Sequence, residues 1–262
     1  MTMEGISAYI WIFCVGLVIG SFLNVLIYRI PRKLSFGFNR SFCPSCKEKI
    51  KFYDNIPVVS YIILKGKCRN CKAGISFRYP LVELLNGLIY AFLLHNFGPS
   101  MEFIVFCFLS SVLITIFFID LDFQIIPDLL TMPGMAVGLG VSLLPGGIGI
   151  VSSLIGLAVG GGVLYLIALG GDWLFKKESM GGGDIKMAAM LGAFLGWQKV
   201  VFIFFAAAVI GLMISLVIML FSKKLRVSRV VPFGPFLALG AFAAIVYGDS
   251  VIAYYISNYL KI

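Results

Sequence analysis

Charge is scarce in this sequence. Only 13% of its 262 residues are Asp, Glu, Lys or Arg, roughly half the share of a soluble domain. That excludes a disordered chain and argues against a soluble globular enzyme. Histidine occurs once. His95 reads as an interfacial side chain near the outer surface, not as a base or ligand. Apolar and polar residues do not alternate through the long hydrophobic stretches, which excludes a β-barrel. The first apolar run does not read as a cleavable signal peptide. Glu4 precedes the first apolar run, which has no basic start, no small-residue cleavage site and too great a length. Internal repeats, linkers and low-complexity tracts are absent.

What is present is hydrophobic. Such residues make up 60% of the chain, and uncharged runs cover residues 5–28, 103–119, 129–171, 200–222 and 230–248. A bilayer core of about 30 Å needs roughly 20 apolar residues in a helix. The fold class is therefore an all-α polytopic membrane protein, with about eight transmembrane helices and one small soluble insertion. The spans are expected near 6–28, 79–96, 102–119, 127–144, 150–170, 184–196, 200–221 and 231–247. Pro145-Gly146-Gly147 is a turn signal that splits the longest uncharged stretch. The 29 glycines suit close approach of membrane helices. Residues 1–28 are read as a first transmembrane helix, 29–78 as the soluble module and 79–262 as a second membrane domain.

Nineteen of the 21 Lys and Arg fall within 29–78, 172–186 and 222–230. Cytoplasmic loops collect basic residues. Eight spans place all three segments inside, with both termini and the acids Glu4, Glu102 and Asp249 outside. The net charge of +9 then orients the protein and attracts anionic lipid. It does not signal nucleic acid.

Four of the six cysteines form two knuckles, Cys43-Pro-Ser-Cys46 and Cys68-Arg-Asn-Cys71, separated by 21 residues. This is a zinc-ribbon pattern, one residue beyond the usual spacing. A two-residue gap lets both thiolates of a knuckle reach one metal, and two knuckles complete a tetrahedron. The cytoplasm is reducing, which favours metal over disulfides; two disulfides are the alternative. With four ligand positions filled, a bound zinc is structural. Cys14 and Cys107 read as packing residues.

Acids within a membrane domain are costly and commonly functional. Asp120 follows the third span and Asp184 opens the sixth after Gly181-Gly182-Gly183. The topology puts both at the inner rim of the bundle. Two close carboxyls do not both ionise easily, so the pair shares a proton. One oxygen then activates water while the other protonates the departing amide nitrogen. A flexible glycine loop with Asp184 as helix N-cap is the bland alternative. Asp128 reads as a helix-start acid and Asp122 as solvated. Glu83 either pairs with Arg78 or serves the soluble module.

These motifs resemble the type IV prepilin peptidase family along nearly the whole chain. The resemblance rests on Gly20-Ser21-Phe22-Leu23-Asn24-Val25, Tyr28-Arg29-Ile30-Pro31, the two Cys pairs, and Ile75-Ser76-Phe77-Arg78-Tyr79-Pro80-Leu81-Val82-Glu83. It continues through Ile119-Asp120, Ile126-Pro127-Asp128, Gly181-Gly182-Gly183-Asp184-Ile185-Lys186 and Pro232-Phe233-Gly234-Pro235. It implies an inner-membrane aspartic peptidase of the GxGD kind with its pair at Asp120 and Asp184. It implies removal of a basic leader from prepilins or pseudopilins at the cytoplasmic face, serving pilus, secretion or DNA-uptake systems. It also implies N-methylation of the new terminus with S-adenosylmethionine, an activity associated with the zinc-bearing module. No methyl-donor motif is evident in the residues themselves. Gly160-Gly161-Gly162 reads as helix packing. Glu83 is the candidate near the donor, as a carboxylate that removes the amine proton and attracts the sulfonium. Two other classes stay open at this point: a zinc-ribbon membrane adaptor without catalysis, and an ion-coupled transporter, which would carry its acids nearer the midplane.

Overall fold

The structure is a computed structural model describing residues 3–35, 41–177, 179–221 and 232–260. The described residues form eight α-helices and no extended sheet. These are α1 (Met3–Arg29), α2 (Val59–Ile63), α3 (Arg78–Phe97), α4 (Met101–Phe123), α5 (Asp128–Val141), α6 (Ile150–Phe175), α7 (Gly182–Phe221) and α8 (Gly234–Tyr255). Six of them, α1, α3, α4, α6, α7 and α8, are long and apolar enough to cross a bilayer, and α5 is a shorter apolar helix. The protein is a multi-pass membrane protein.

The spans expected at 184–196 and 200–221 are both in α7. They are separated at Gly196, whose φ of 80° and ψ of 168° break the helical run. Only glycine adopts that conformation without strain. Counting α7 as two, the described residues hold eight apolar helical segments. The helix ends differ from expectation in two informative places. Helix α4 continues through Asp120 to Phe123 and stops at Gln124, which has a left-handed φ of 53°. Asp120 is thus helical, not part of a turn. Helix α8 starts at Gly234 and absorbs much of the tail, ending in a π-helical turn at Ile256–Leu260. The basic segment 222–230 lies outside the described residues.

By contacts the chain divides into two compact units, Met1–Thr115 and Ile116–Ile262. In the first, α1 and α3 meet through small residues. A Cβ on Gly16 would fall 2.7 Å from the Gly87 Cα, and one on Gly20 would fall 2.7 Å from the Glu83 Cα. The spacing Gly16-x-x-x-Gly20 lets the backbones touch. Buried polar groups pair across the helices: Asn86 donates to the Gly16 carbonyl at 2.7 Å, and the Ser111 hydroxyl donates to Asn86 Oδ1 at 3.1 Å. Between α1 and α3 lies the soluble insertion with a 3-10 turn at Phe52–Asn55 and the short α2.

The second unit is organised around α7, which packs on α5, α6 and α8. Helices α6 and α7 approach backbone to backbone. A Cβ on Gly156 would collide with the Gly192 carbonyl, and one on Gly160 with that of Ala188. The Ser153 hydroxyl donates to the Ala193 carbonyl at 2.6 Å. This satisfies a polar group that lipid could not.

Candidate active site

Asp120 projects from the last turn of α4 and is 4% exposed. Asp184 lies in the first turn of α7, which begins at Gly182. It is therefore inside the helix and not its N-cap. The two carboxyls are close enough to interact electrostatically.

Three glycine-bearing contacts bring them together. Asp120 accepts a hydrogen bond from the backbone N–H of Gly234, the first residue of α8. A Cβ at Gly234 would stand 2.5 Å from Asp120 Oδ2 and 3.0 Å from Ile126 Cδ1. On its other side Ile126 meets the first turn of α7: a Cβ at Gly183 would fall 2.8 Å from the Ile126 Cβ. Asp120, Gly234, Ile126, Gly183 and Asp184 form one continuous set of contacts. The first N–H groups of a helix have no partner within it, and their end of the helix dipole is positive. Gly234 thus presents Asp120 with a donor and a favourable field. Asp184 contrasts with it, since its Oδ1 is buried and has no hydrogen-bond partner among the described residues.

Asp128 and Lys186 brace this end. Lys186 Nζ contacts both carboxylate oxygens of Asp128, at 2.8 and 2.7 Å. Asp128 is the helix-start acid expected from its position, with a partner that the sequence did not reveal. The contact of Gly234 with Asp120 was likewise hidden, although Pro232-Phe233-Gly234-Pro235 is one of the motifs that carry the resemblance. Pro235 marks a helix start there, a favoured place for proline.

The first unit carries the other candidates. The Sγ atoms of Cys43, Cys46, Cys68 and Cys71 all lie within 4.8 Å of one another. A tetrahedral zinc with bonds of about 2.3 Å separates its sulfurs by about 3.8 Å, so the four fit one ion. The knuckles repeat one geometry. The N–H of Cys43 donates to the Glu48 carbonyl and that of Cys68 to the Ala73 carbonyl, while the N–H of Lys47 and Lys72 return to the respective cysteine carbonyls. Both lysines are left-handed, with φ of 61° and 59°. Hydrogen bonding from the Cys46 backbone draws the Cys43 thiol down to about 6, so it is largely thiolate at neutral pH, the form that binds metal. Arg69, in the second knuckle, donates to Asp54 at 2.8 Å and holds that carboxyl below the usual range.

Glu83 is buried, and its Oε2 accepts from the backbone N–H of Val58 at 2.8 Å. Ser21 also hydrogen-bonds its carboxylate. It therefore serves the soluble module. A cavity of about 410 Å³ opens beside it, lined by Asn24, Tyr28, Asp54, Tyr79, Glu83 and the knuckle residues Cys43 and Cys68 among others. His95 sits in the last turn of α3, with the Tyr9 hydroxyl 3.4 Å from its Nδ1.

Residues 14–97 match a family model described as the bacterial peptidase A24 N-terminal domain, and residues 107–216 match one described as the type IV leader peptidase family. A relative from Aeromonas hydrophila called "Prepilin leader peptidase/N-methyltransferase" is 36% identical over 95% of this chain and 94% of its own length. Relatives with the same description from Stutzerimonas stutzeri and Pseudomonas aeruginosa are 37% and 34% identical, each over 92% of this chain and 91% of their own length. No solved structure matches the chain.

Proposed function

The chain belongs to the type IV leader peptidase family, and from that membership we propose that Asp120 and Asp184 are its catalytic pair. The enzyme cleaves the leader peptide from prepilins or pseudopilins and N-methylates the residue so exposed. Our reading places both reactions at the cytoplasmic face of the bacterial inner membrane.

The observation that carries the assignment is two carboxyls at the ends of different helices, near enough for one to feel the other's charge, Asp120 held by a helix N-terminus and Asp184 with its buried Oδ1 lacking a partner among the described residues. Asp120, stabilised as a carboxylate by the Gly234 N–H, takes a proton from the attacking water. Asp184 holds the pair's single proton and delivers it to the departing nitrogen. The scissile C–N bond breaks, giving a leader carboxylate and a free amine. A transporter would hold its acids near the midplane; both of these sit within one turn of a helix end. The test is cleavage of a prepilin in detergent by Asp120→Asn and Asp184→Asn. Each is expected to lose about 100-fold or more, the weight of one positioned acid or base. Undiminished cleavage by either variant removes that residue from the mechanism.

For the second reaction, the reading places S-adenosylmethionine beside Glu83. The cavity of about 410 Å³ lies in the range of sites for molecules of that size. The donor supplies an electrophilic methyl on a sulfonium. Glu83, already fixed by Val58, offers the negative charge that attracts the sulfonium and can accept the proton the amine must lose. Cys43, Cys46, Cys68 and Cys71 would hold a zinc ion, which would keep the wall of this cavity in shape.

A further inference from the structure

The soluble insertion carries an apolar surface, formed by Val59, Ile62 and Ile63, that stands apart from the residues lining the cavity assigned to the methyl donor. The stretch Ile56-Pro57-Val58-Val59-Ser60-Tyr61-Ile62-Ile63-Leu64 contains one polar side chain besides the tyrosine hydroxyl. Three of its large residues face outward away from that cavity: Val59 is 48% exposed, Ile62 67% and Ile63 68%, with Phe52 nearby in sequence at 79% and Phe77 at 63%. Contiguous exposed apolar surface of this kind marks a contact with a partner or a membrane.

Three contacts fix the depth of this stretch. Val58, the residue before α2, donates its N–H to Glu83 in the second turn of α3. Side chains of a helix lean toward its N-terminus, so the Glu83 carboxylate stands level with the first turn. Tyr61, within α2, stacks edge-on against Phe77, directly before α3, with ring centroids 6.4 Å apart. Asn24 near the end of α1 donates to the Tyr79 carbonyl at 3.0 Å, so both membrane helices end at this level. Helix α2 is thus held where α3 enters the bilayer, not out in solvent. Lysines flank it: Lys51 before and Lys65 and Lys67 after are exposed. Apolar residues beside basic ones are the pattern of a segment lying in the headgroup region, where Lys and Arg are drawn to anionic lipid.

We infer that α2 is an interfacial foot. Val59, Ile62 and Ile63 sit in the lipid headgroup and acyl boundary, with Lys65 and Lys67 on anionic headgroups. The occupant of this surface is lipid, and the foot anchors the cysteine module to the membrane between its two tethering helices.

The test uses the full chain, with Trp11, Trp173 and Trp197 replaced by Phe, reconstituted in nanodiscs of phosphatidylcholine and phosphatidylglycerol. Single tryptophans are introduced as Ile62→Trp and Ile63→Trp, and retained prepilin cleavage shows that each variant folds. The expected result is blue-shifted emission that is strongly lost when the acyl chains are brominated. Red-shifted emission indifferent to bromination overturns the inference, because the surface then faces water. Blue-shifted emission indifferent to bromination overturns it too, since protein then covers the patch. Quenching that disappears on adding a prepilin assigns the surface to substrate instead.

Discussion

The backbone N–H of Gly234 donates to the carboxylate of Asp120, and the glycine leaves no room for a Cβ between them, the nearest oxygen lying 2.5 Å from where that atom would stand. A helix start and an acid from another helix are thus matched to within one methyl group. Replacing Gly234 by Ala forces the two apart. Misplacement of a catalytic group by about 1 Å costs about 100-fold in rate, and a loss of that size is expected in cleavage by Gly234→Ala. Methylation of an already cleaved pilin should stay at the wild-type level. Loss of both activities would mean that the substitution damages the fold.

Cleavage should also depend on pH in a bell shape. The reaction needs one carboxyl charged and one protonated. Below the lower limb both are protonated and no base remains; above the upper limb both are ionised and no acid remains. Initial rates measured from acidic to strongly alkaline pH should fall at both ends. A plateau that persists to high pH contradicts the shared proton.

Glu83→Gln separates the two chemistries. The amide oxygen can still accept from Val58, so the module should keep its place, while the negative charge is gone. Methyl transfer is expected to fall by about 100-fold, the lower range for loss of a positioned base or charge, with cleavage unchanged. Intact methyl transfer in this variant removes Glu83 from the role.

Metal content is checked by elemental analysis of protein purified without chelators. One zinc per chain is expected, lost in Cys43→Ser and on prolonged chelation. Metal bound only by the folded state adds to its stability, so the stripped module should become sensitive to protease while α-helical content is largely kept. Methyl transfer should decline and cleavage persist. A zinc-free preparation with full methyl transfer would overturn this.

The carboxyl pair and the cysteine knuckles were legible in the sequence for different reasons. The knuckles are local, so spacing alone predicts that four sulfurs converge. Asp120 and Asp184 are distant in sequence, but hydrophobic runs fix the depth of each helix end, and two acids at one depth stand out in a chain with so few. Gly234 could not be found in this way. A backbone donor has no side-chain signature, and its alignment with Asp120 depends on how α8 packs. The boundary of α4 was misplaced because an apolar run marks where lipid stops, whereas the helix continues until Gln124 turns left-handed. Likewise α2 is too short for periodicity to register, and the link from Val58 to Glu83 joins two backbone environments that no motif connects.

Contact between α6 and α7 offers a test of the packing itself. Gly192 and Gly156 approach through their backbones, so Gly192→Leu has no space for its side chain. Overfilling a tight interface costs about 1–3 kcal/mol. Thermal unfolding in detergent should shift down accordingly, with cleavage reduced because α7 carries Asp184. An unshifted transition would show that the interface is looser than these contacts require.

Lys186 lies two positions beyond Asp184 on α7, and its ammonium is turned to Asp128. The nearest cation along the helix is therefore engaged elsewhere and is not available to quench the acid beside it. A leader rich in Lys or Arg would meet no repelling charge there, and mutating Asp128 would free a like-charged obstacle two positions from Asp184.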